Sequence, residues 1–485
     1  MKRLILPIFS AGLGCLTFLF WSNPLILIFV LLIHLVPLFI FFLKEQKLLN
    51  LILGTFLFKY TFLIISVSPL LLKNNIYLFL FVAFFLSFFV ILPFLGFPLS
   101  LYFLKKKCRN SHILLLILPF LWTFWEIIGT FFNIEPSILL LNSGALLAPT
   151  KFLGLAKFGG FFSLTLFVAI VNTLVVGFFL NLKNKKVAIF YSITIGLVII
   201  SSFYLSQINL ERNAIEYQNR KESLKIASIS VTRDFDSEFL KVILEKENLT
   251  EEKFNEELTK TLRPIIDDLK KEQIDLIAFP EYFPGGLTTI REKQKIEPDK
   301  FLFNFYQKLS GELNTDILTS FEKVQDGEKY NSIIHFKKDG KFEIYNKRHP
   351  SLLGEIMPSF VRRNYPLKTI KKGEDFVLFK IKNFSFFPVP CSEQYYPLDL
   401  IKAKTLRAKF LSNLTSNRWV DKKLLERGSF IHNNLRKINA VWLKMPIVIS
   451  GWDDIAGIIR TDGQIEKVET VNEKDYKIFF GEIKL

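Results

Sequence analysis

Acidic residues are almost missing from the first 205 residues of this 485-residue chain, which contain only Glu45, Glu126 and Glu135. The same stretch carries fifteen Lys and Arg residues, so it contributes +12 of the formal net charge of +17. Long runs of Phe, Leu and Ile separate these charges, and the whole chain contains 53 Phe. This composition excludes an ordinary soluble domain for the first part of the chain.

Cysteine is also scarce. Cys15, Cys108 and Cys391 lie far apart, without the spacing of a metal site and without the even number that a disulfide framework needs. We interpret Cys15 and Cys108 as ordinary unpaired thiols. The basic residues punctuate apolar runs instead of gathering on a soluble face, so nucleic acid is not an expected partner.

Seven apolar segments of the first part are long enough to cross about 30 Å of hydrocarbon, which takes roughly 20 residues. They cover residues 4–20, 24–43, 48–71, 75–104, 112–133, 158–182 and 187–206. We therefore predict a multi-pass α-helical membrane bundle over residues 1–206 and a linker at 207–223. The first segment lacks a small-residue cleavage site, so we expect it to be retained and not removed as a signal peptide.

The loop charges predict how these spans are oriented, because cytoplasmic loops are enriched in Lys and Arg. With a cytoplasmic N-terminus, the inner loops hold eleven of these residues and the outer loops three. Seven crossings then place the C-terminal domain outside the cytoplasm, where ATP and NAD are not at hand. We therefore expect chemistry without a cofactor and without a metal.

Two ionisable residues, Lys59 and Glu126, fall inside the predicted spans. A charge at the centre of a bilayer costs at least about 2.5 kcal/mol, so such residues are candidates for function. A structural role in helix packing is the simpler explanation, and we favour it for both residues.

From Leu224 onward, short β-branched runs alternate with charged amphipathic segments, which predicts a layered α/β domain over residues 224–485. Candidate strands lie at 224–231, 274–280, 316–321, 331–338, 341–346, 376–391, 409–415, 446–451 and 454–460. Candidate helices lie at 250–271, 298–313 and 423–443. Asp339-Gly340 and Asp462-Gly463 are typical of hairpin turns.

Three of the apolar runs end in a polar residue of a type used in catalysis, namely Glu281, Lys347 and Cys391. Each one alone is explained by a solvated charge or a half-buried thiol. Together they supply a base, a positive charge and a nucleophile. A carboxylate can take the proton of a thiol, whose ordinary pKa is about 8.5, and an ammonium can stabilise the oxyanion that forms when sulfur attacks a carbonyl.

The same residues lie in a series of short motifs that covers nearly all of residues 224–470. The motifs are Phe279-Pro280-Glu281, Tyr330-Asn331-Ser332, Tyr345-Asn346-Lys347-Arg348-His349, Gly354-Glu355-Ile356-Met357-Pro358, Cys391-Ser392-Glu393, Thr415-Ser416-Asn417-Arg418-Trp419, Asp454-Ile455-Ala456-Gly457 and Asp462-Gly463. In these motifs the chain resembles the nitrilase (carbon-nitrogen hydrolase) superfamily. With the preceding spans, it is similar to the apolipoprotein N-acyltransferases of bacteria.

The resemblance implies an αββα four-layer sandwich on a helical bundle in the bacterial inner membrane. It implies that Cys391 attacks an acyl ester of a glycerophospholipid, and that the thioester then acylates the α-amino group of an N-terminal diacylglyceryl-cysteine of a lipoprotein. Glu281 would be the general base and Lys347 the oxyanion stabiliser, with Glu355 and Glu393 as supporting acids.

Two alternatives stay open at this point. One is a membrane-anchored amidase or acyltransferase of the same superfamily with another acceptor, and the other is a degenerate relative that only binds lipid or lipoprotein. The segments 282–287 and 352–353 are apolar enough either to contact lipid as lids or to pack internally. We expect a monomer.

Overall fold

A computed structural model describes residues 4–20, 22–71, 92–108, 110–132, 144–246, 249–351, 355, 369–418, 425–466 and 469–485. These residues form two compact units. The first lies within Met1–Asn213 and Val420–Trp442, and the second within Ala214–Trp419 and Leu443–Leu485.

Helices and strands are numbered along the chain. The described helices are α1 Ile5–Leu19, α2 Pro24–Ile33, α3 Val36–Lys44, α4 Leu48–Leu71, α5 Gly96–Lys107, α6 Ser111–Phe132, α7 Phe161–Leu180, α8 Lys185–Gln218, α9 Ser237–Glu245, α10 Glu251–Leu269, α11 Leu287–Gln294, α12 Pro298–Leu313, α13 Pro397–Thr405 and α14 Leu425–Leu443. The described strands are β1 Ser223–Val231, β2 Leu276–Ala278, β3 Asp316–Gln325, β4 Glu328–Phe336, β5 Phe342–Asn346, β6 Phe379–Ile381, β7 Phe384–Pro390, β8 Phe410–Ser416, β9 Ile447–Trp452, β10 Gly457–Ile459, β11 Ile465–Glu466, β12 Glu469–Asn472 and β13 Tyr476–Lys484.

Long apolar helices dominate the first unit. Four stretches of the described residues are long and apolar enough to cross a membrane, namely Pro24–Lys44, Ser111–Thr130, Phe161–Leu180 and Lys185–Gln218. Two shorter apolar stretches lie at Ile5–Thr17 and Leu48–Phe62. Most of the predicted span at 75–104 falls outside the described residues, so seven crossings remain a prediction.

The predicted span 24–43 is interrupted at His34 and Leu35, where α2 ends and α3 begins. Pro37, in the first turn of α3, has no N–H to donate to the preceding turn. At the break, the side chain of Asn172 provides hydrogen-bond partners for two backbone groups. It accepts from the Leu35 N–H at 2.9 Å and donates to the Leu31 carbonyl at 2.8 Å. A backbone break among apolar helices is tolerated when a neighbouring helix satisfies the freed groups in this way.

Helix α8 runs without interruption from Lys185 to Gln218. The range predicted as a linker, 207–223, is therefore helical over 207–218. The change from apolar to charged residues at Glu211 and Arg212 suggested an end to the helix, but Glu and Arg are themselves good helix formers.

The second unit is an α/β domain with a near-closed sheet. Its strands follow the order β5-β4-β3-β2-β1-β9-β8-β7-β6, and β13 pairs antiparallel with β1 over nine residues. Strand β1 contacts β9 only at its last two residues, where Ser230 lies beside Gly451 and Val231 beside Trp452. The sheet thus has two halves that meet at the carboxyl ends of β1 and β9.

All strands that precede the three candidate catalytic residues run in one direction. The pairs β1–β2, β2–β3, β1–β9, β8–β9 and β7–β8 are parallel. Strand β5 has the same direction as β3 because two antiparallel pairings separate them. The carboxyl ends of β2, β5 and β7 therefore lie at the same edge of the sheet.

The helices of this domain form where the sequence has an apolar stripe. In α10 the buried positions Phe254, Leu258, Leu262, Ile265 and Leu269 recur every three or four residues, as one face of a helix requires. The Thr250 hydroxyl caps its N-terminus by accepting from the Lys253 N–H at 3.3 Å. This face packs in the same core cluster as the sheet residues.

The two predicted hairpins are confirmed. Strands β4 and β5 pair around Asp339-Gly340, and β10 and β11 pair around Asp462-Gly463, with φ of +86° at Gly340 and +78° at Gly463. The single strand predicted at 376–391 is wrong, because the chain turns at Lys382, which has φ of +48°, and pairs β6 with β7.

Candidate active site

Glu281, Lys347 and Cys391 follow strands whose carboxyl ends share one edge of the sheet. Lys347 directly follows β5, Cys391 directly follows β7, and Glu281 comes three residues after the last residue of β2. Glu281 is 3% exposed, Lys347 1% and Cys391 9%. The three residues that the sequence singled out are therefore buried side chains at one end of the domain.

Lys347 lies between two carboxylates. Its Nζ is 3.2 Å from Glu281 Oε1 and 2.8 Å from Glu355 Oε2. The side-chain amide of Asn331 donates to both acids, at 2.7 Å to Glu281 Oε1 and at 2.7 Å to Glu355 Oε1. Asn331 and Lys347 thus hold the two carboxylates in a fixed arrangement.

The two carboxylates differ in their surroundings and therefore in pKa. Burial raises the pKa of Glu281, and the negative charge of Glu355 adds to this effect, although Lys347 opposes it. Glu355 is partly buried, which also raises its pKa, but Lys347 and hydrogen bonds from Ser351 and Tyr282 outweigh this effect and lower the pKa to about 2. Glu355 is then a permanent anion, whereas Glu281 can exchange a proton, which is the division of roles expected of an acid–base pair.

The pKa of Lys347 is raised well above its ordinary value. Burial alone would lower it, but the charges of Glu281 and Glu355 outweigh the burial. The side chain therefore remains an ammonium, which can stabilise negative charge on a substrate oxygen.

Cys391 begins a short 3-10 turn and has φ of +36°, a left-handed conformation that is unusual for a residue with a side chain. Burial and the neighbouring Glu281 raise the pKa of its thiol, while Lys347 acts in the opposite direction. The resting sulfur is therefore protonated. Nucleophilic attack then requires that the proton leave as the new bond forms, and Glu281, whose charge acts on the thiol, can take it.

Glu393 is fully buried and connects the nucleophile turn to the loop that carries Lys347. It accepts from the Tyr345 hydroxyl at 2.5 Å, from the Arg348 N–H at 2.5 Å and from the His349 N–H at 2.9 Å. Burial raises its pKa to about 7. These contacts give Glu393 a positioning role, since all three of its partners flank Lys347.

The loop after Glu281 is held from two sides. Asp236 accepts from the Gly285 N–H at 2.6 Å and pairs with Arg418. The Arg418 guanidinium lies 3.5 Å from the centre of the Trp452 ring, and the Trp452 indole donates to the Glu281 carbonyl at 2.7 Å. This chain of contacts fixes the backbone that presents the Glu281 carboxyl group.

Of the two alternatives for segment 282–287, a lipid-contacting lid or internal packing, the structure shows internal packing for its apolar residues. Phe283 is fully buried and stacks on Phe279 with ring centres 5.3 Å apart, and Leu287 is 4% exposed in the same core cluster. The second candidate lid, 352–353, and the motif residues Gly354 and 356–358 lie outside the described residues.

Several functional residues were not predicted as such. Asn331 stands in a quoted motif, but only its contact with both acids gives it a role. Tyr282 donates to Glu355 Oε1 at 2.7 Å, and Ser351 donates to Glu355 Oε2 from its N–H at 2.7 Å. In the sequence, Tyr282 directly follows Glu281, and Ser351 lies four residues before Glu355. These positions are the signal that could have indicated their roles.

Residues 248–440 match the family model "Carbon-nitrogen hydrolase". Among solved structures, the chain is similar to Nit3 of Saccharomyces cerevisiae, a member of branch 10 of the nitrilase superfamily, with 15% identity over 55% of this chain and 91% of that chain and a TM-score of 0.39. It is also similar to a carbon-nitrogen hydrolase from Helicobacter pylori G27, with 13% identity over 54% of this chain and 89% of that chain and a TM-score of 0.38. It is similar to the amidase of Nesterenkonia AN1 with 12% identity over 53% of this chain and 90% of that chain and a TM-score of 0.38. No curated protein matches this chain.

Proposed function

We propose that this protein is a membrane-bound N-acyltransferase, because residues 248–440 match the carbon-nitrogen hydrolase family model in a chain with long apolar helices. It moves an acyl chain from a glycerophospholipid to the α-amino group of the N-terminal diacylglyceryl-cysteine of an apolipoprotein. The observation that carries the proposal is the buried cluster in which Lys347 contacts Glu281 and Glu355, with Cys391 in electrostatic reach.

In the first half-reaction, Cys391 Sγ bonds to the ester carbonyl carbon while the thiol proton passes to Glu281. The carbonyl oxygen becomes an oxyanion, and the Lys347 ammonium stabilises it. The ester C–O bond then breaks. The lysophospholipid oxygen takes the proton back from Glu281, and the acyl chain remains on Cys391 as a thioester.

In the second half-reaction, the neutral α-amino group attacks the thioester carbon and gives a proton to Glu281. The C–S bond breaks, an amide forms, and the sulfur leaves as a thiolate next to Lys347. The thiolate recovers its proton from Glu281, so the enzyme returns to its starting state. Glu355 keeps its charge throughout and maintains the ammonium form of Lys347.

Both substrates are lipids, and a membrane location follows from their chemistry. Exposing an acyl chain to water costs about 0.8 kcal/mol for each CH₂ group. We propose that the apolar helices form a multi-pass bundle in the bacterial inner membrane, with the N-terminus in the cytoplasm. The catalytic domain, an αββα sandwich, then acts on the outer side as a monomer without a cofactor.

The test is an acyl-enzyme assay on the full-length protein in detergent with a dipalmitoyl phospholipid. We expect one palmitoyl adduct, located at Cys391 by mass spectrometry and removed by hydroxylamine. The Cys391→Ala variant should carry none. A Cys15→Ser/Cys108→Ser variant is the matched control and should be acylated normally.

Addition of a diacylated lipopeptide with a free N-terminus distinguishes the acceptors. The proposed function requires an N-acylated peptide and loss of the thioester. If the thioester is lost to water alone, with no amide formed, the protein is a hydrolase of the same superfamily. If no adduct forms with any phospholipid, the protein is a binding protein and the proposal fails.

A further inference from the structure

One surface of the second unit combines exposed apolar and basic side chains. Leu398 is 60% exposed, Ile401 41% and Leu406 50%. In the described part of this unit, five large apolar side chains are at least 41% exposed. The other two are Ile215 and Phe342. Three of the five thus lie within nine consecutive residues, on α13 and directly after it. We call residues 398–409 the α13 patch.

The exposed charges of the α13 patch are all positive. Lys402, Lys404, Arg407 and Lys409 are exposed. The acid within the range, Asp399, is buried and pairs with Arg348 at 2.7 Å and with His349 at 2.9 Å. Lys404 is also near Lys444 and Glu216, which pair with each other.

The helix places these residues on one face. Ile401 and Lys402 lie three and four residues after Leu398, the spacing of neighbours on a helix surface. Leu400 and Ala403 are fully buried on the opposite face, so the outward orientation of Leu398 and Ile401 is fixed by packing. Lysines beside exposed leucines can extend along apolar surface while the ammonium stays at a polar boundary.

We propose that the α13 patch docks on the surface of a bilayer with anionic head groups. Leu398, Ile401 and Leu406 enter the head-group region, and Lys402, Lys404, Arg407 and Lys409 lie against lipid phosphates. Apolar residues on one side of a helix with basic residues beside them are the pattern of interfacial membrane helices. Each basic residue near an anionic surface adds to the attraction.

The position of the patch connects it to the candidate active site. Helix α13 begins six residues after Cys391, and Asp399 holds the two residues that follow Lys347. Docking at the α13 patch would therefore hold the nucleophile turn and the Lys347 loop at the level of the lipid head groups. The docking itself does not depend on which reaction the site performs.

The test uses the full chain in nanodiscs of phosphatidylcholine, with or without phosphatidylglycerol. A nitroxide label is attached at Leu398→Cys in a Cys15→Ser/Cys108→Ser/Cys391→Ser background. The control label is at Lys308→Cys, an exposed position of α12 that is 80% exposed. With phosphatidylglycerol, we expect the label at 398 to collide several-fold less with a water-soluble nickel chelate, and several-fold more with oxygen, than the label at 308.

The electrostatic part is tested with salt and charge reversal. Raising the ionic strength from about 0.1 M to about 1 M shortens the screening length from about 10 Å to about 3 Å, so the difference between the two labels should shrink. Lys404→Glu/Arg407→Glu/Lys409→Glu should abolish the effect of phosphatidylglycerol while the thermal unfolding midpoint in detergent stays unchanged.

Three results would overturn the proposal. The first is equal nickel accessibility at 398 and 308 in both lipid mixtures. The second is shielding of the label at 398 that ignores both phosphatidylglycerol and salt. The third is shielding in detergent that increases with protein concentration, which would assign the patch to a second copy of the chain. Because these readouts need no turnover, they are independent of the acyltransferase proposal.

Discussion

The charged side chains of the candidate active site stabilise one another, and none of them would stay charged there alone. An isolated ammonium as buried as Lys347 would lose its proton, but two carboxylates within 3.2 Å keep it charged. One of these carboxylates, Glu355, is needed to balance the charge. The other, Glu281, can then take up and release a proton without leaving Lys347 unpaired.

Replacing Glu355 by Gln should move the acid limb of the pH profile. The negative charge of Glu355 raises the pKa of Glu281, so its removal lowers that pKa. Glu281 then ionises at lower pH, and the acid limb of thioester formation should shift to lower pH. The rate of thioester formation, measured from pH 4 to pH 9, checks this.

Tyr282→Phe is the matched control for this substitution. It removes the hydroxyl that donates to Glu355 Oε1 but leaves the negative charge in place. We expect its acid limb to remain near that of the unchanged protein. An unchanged limb in Glu355→Gln would show that Glu281 is not the group that titrates.

The elements at the candidate site were predictable because each has a local signal. The runs before Glu281, Lys347 and Cys391 are apolar, and Asp339-Gly340 is a local turn signal. The break at His34–Leu35 was not predictable, since it depends on Asn172, which lies 137 residues after Leu35. The contacts of Asn331 with two acids are equally non-local. Sequence periodicity indicates which face is buried but not which partner covers it.

Helices α4 and α6 are joined by an ion pair that the sequence suggested only as two separate charges. Lys59 Nζ is 2.5 Å from Glu126 Oε1 and lies 4.5 Å from the centre of the Phe94 ring. Removing one residue of this largely buried pair takes away a charge partner of the other, and breaking a buried ion pair typically costs about 3–5 kcal/mol. We expect Lys59→Met and Glu126→Met each to lower the thermal unfolding midpoint in detergent.

The double variant Lys59→Met/Glu126→Met should be more stable than either single variant, because no charge then remains buried. If the double variant lost the sum of the two single losses, the pair would not be coupled. This result would contradict a structural role for the pair.

Strands β3, β4 and β5 carry a buried histidine between two acids. His335 donates to Asp316 at 3.1 Å and to Glu343 at 3.0 Å. Burial alone would lower the pKa of His335, but these bonds outweigh it and raise the pKa above 6.5. The pKa of Glu343 falls from 4.5 to about 2, since the hydrogen bond from His335 overcomes the cost of burial.

The two shifts define a pH window of stability. The stabilisation from His335 is complete below pH 6.5 and is lost as pH rises through its raised pKa. The stabilisation from Glu343 is complete above pH 4.5 and is lost as the pH falls toward 2. We expect the unfolding midpoint to fall from pH 6 to pH 9 as the contribution of His335 is lost. His335→Gln should reduce this pH dependence, and an undiminished dependence in that variant would contradict the assignment.

On the scale of the whole molecule, the division into two units follows long-range packing and not chain order. Residues 425–442, the described part of the range 420–442, group with the first unit, although the described chain before and after them belongs to the second. The helical pattern at 423–443 was visible in the sequence, and α14 confirms it. Its grouping was not visible, because an amphipathic pattern does not identify the surface on which it packs.

The predicted orientation of the chain can be tested with its own cysteines. Cys108 follows Lys105–Lys107 in a loop predicted to be cytoplasmic, and it is partly exposed, whereas Cys15 and Cys391 are buried. A membrane-impermeant maleimide added to intact spheroplasts should therefore leave Cys108 unlabelled. The same reagent should label Lys308→Cys, which is in the domain predicted to lie outside.

Permeabilised spheroplasts are the control, in which both positions should react. Labelling of Cys108 but not of Lys308→Cys in intact spheroplasts would reverse the orientation. The domain with the candidate active site would then face the cytoplasm, on the wrong side for the lipoprotein acceptors of the proposed function. Because the eleven-to-three charge asymmetry is the basis of the predicted orientation, substituting Lys105–Lys107 with Gln should weaken it and give a mixed labelling pattern.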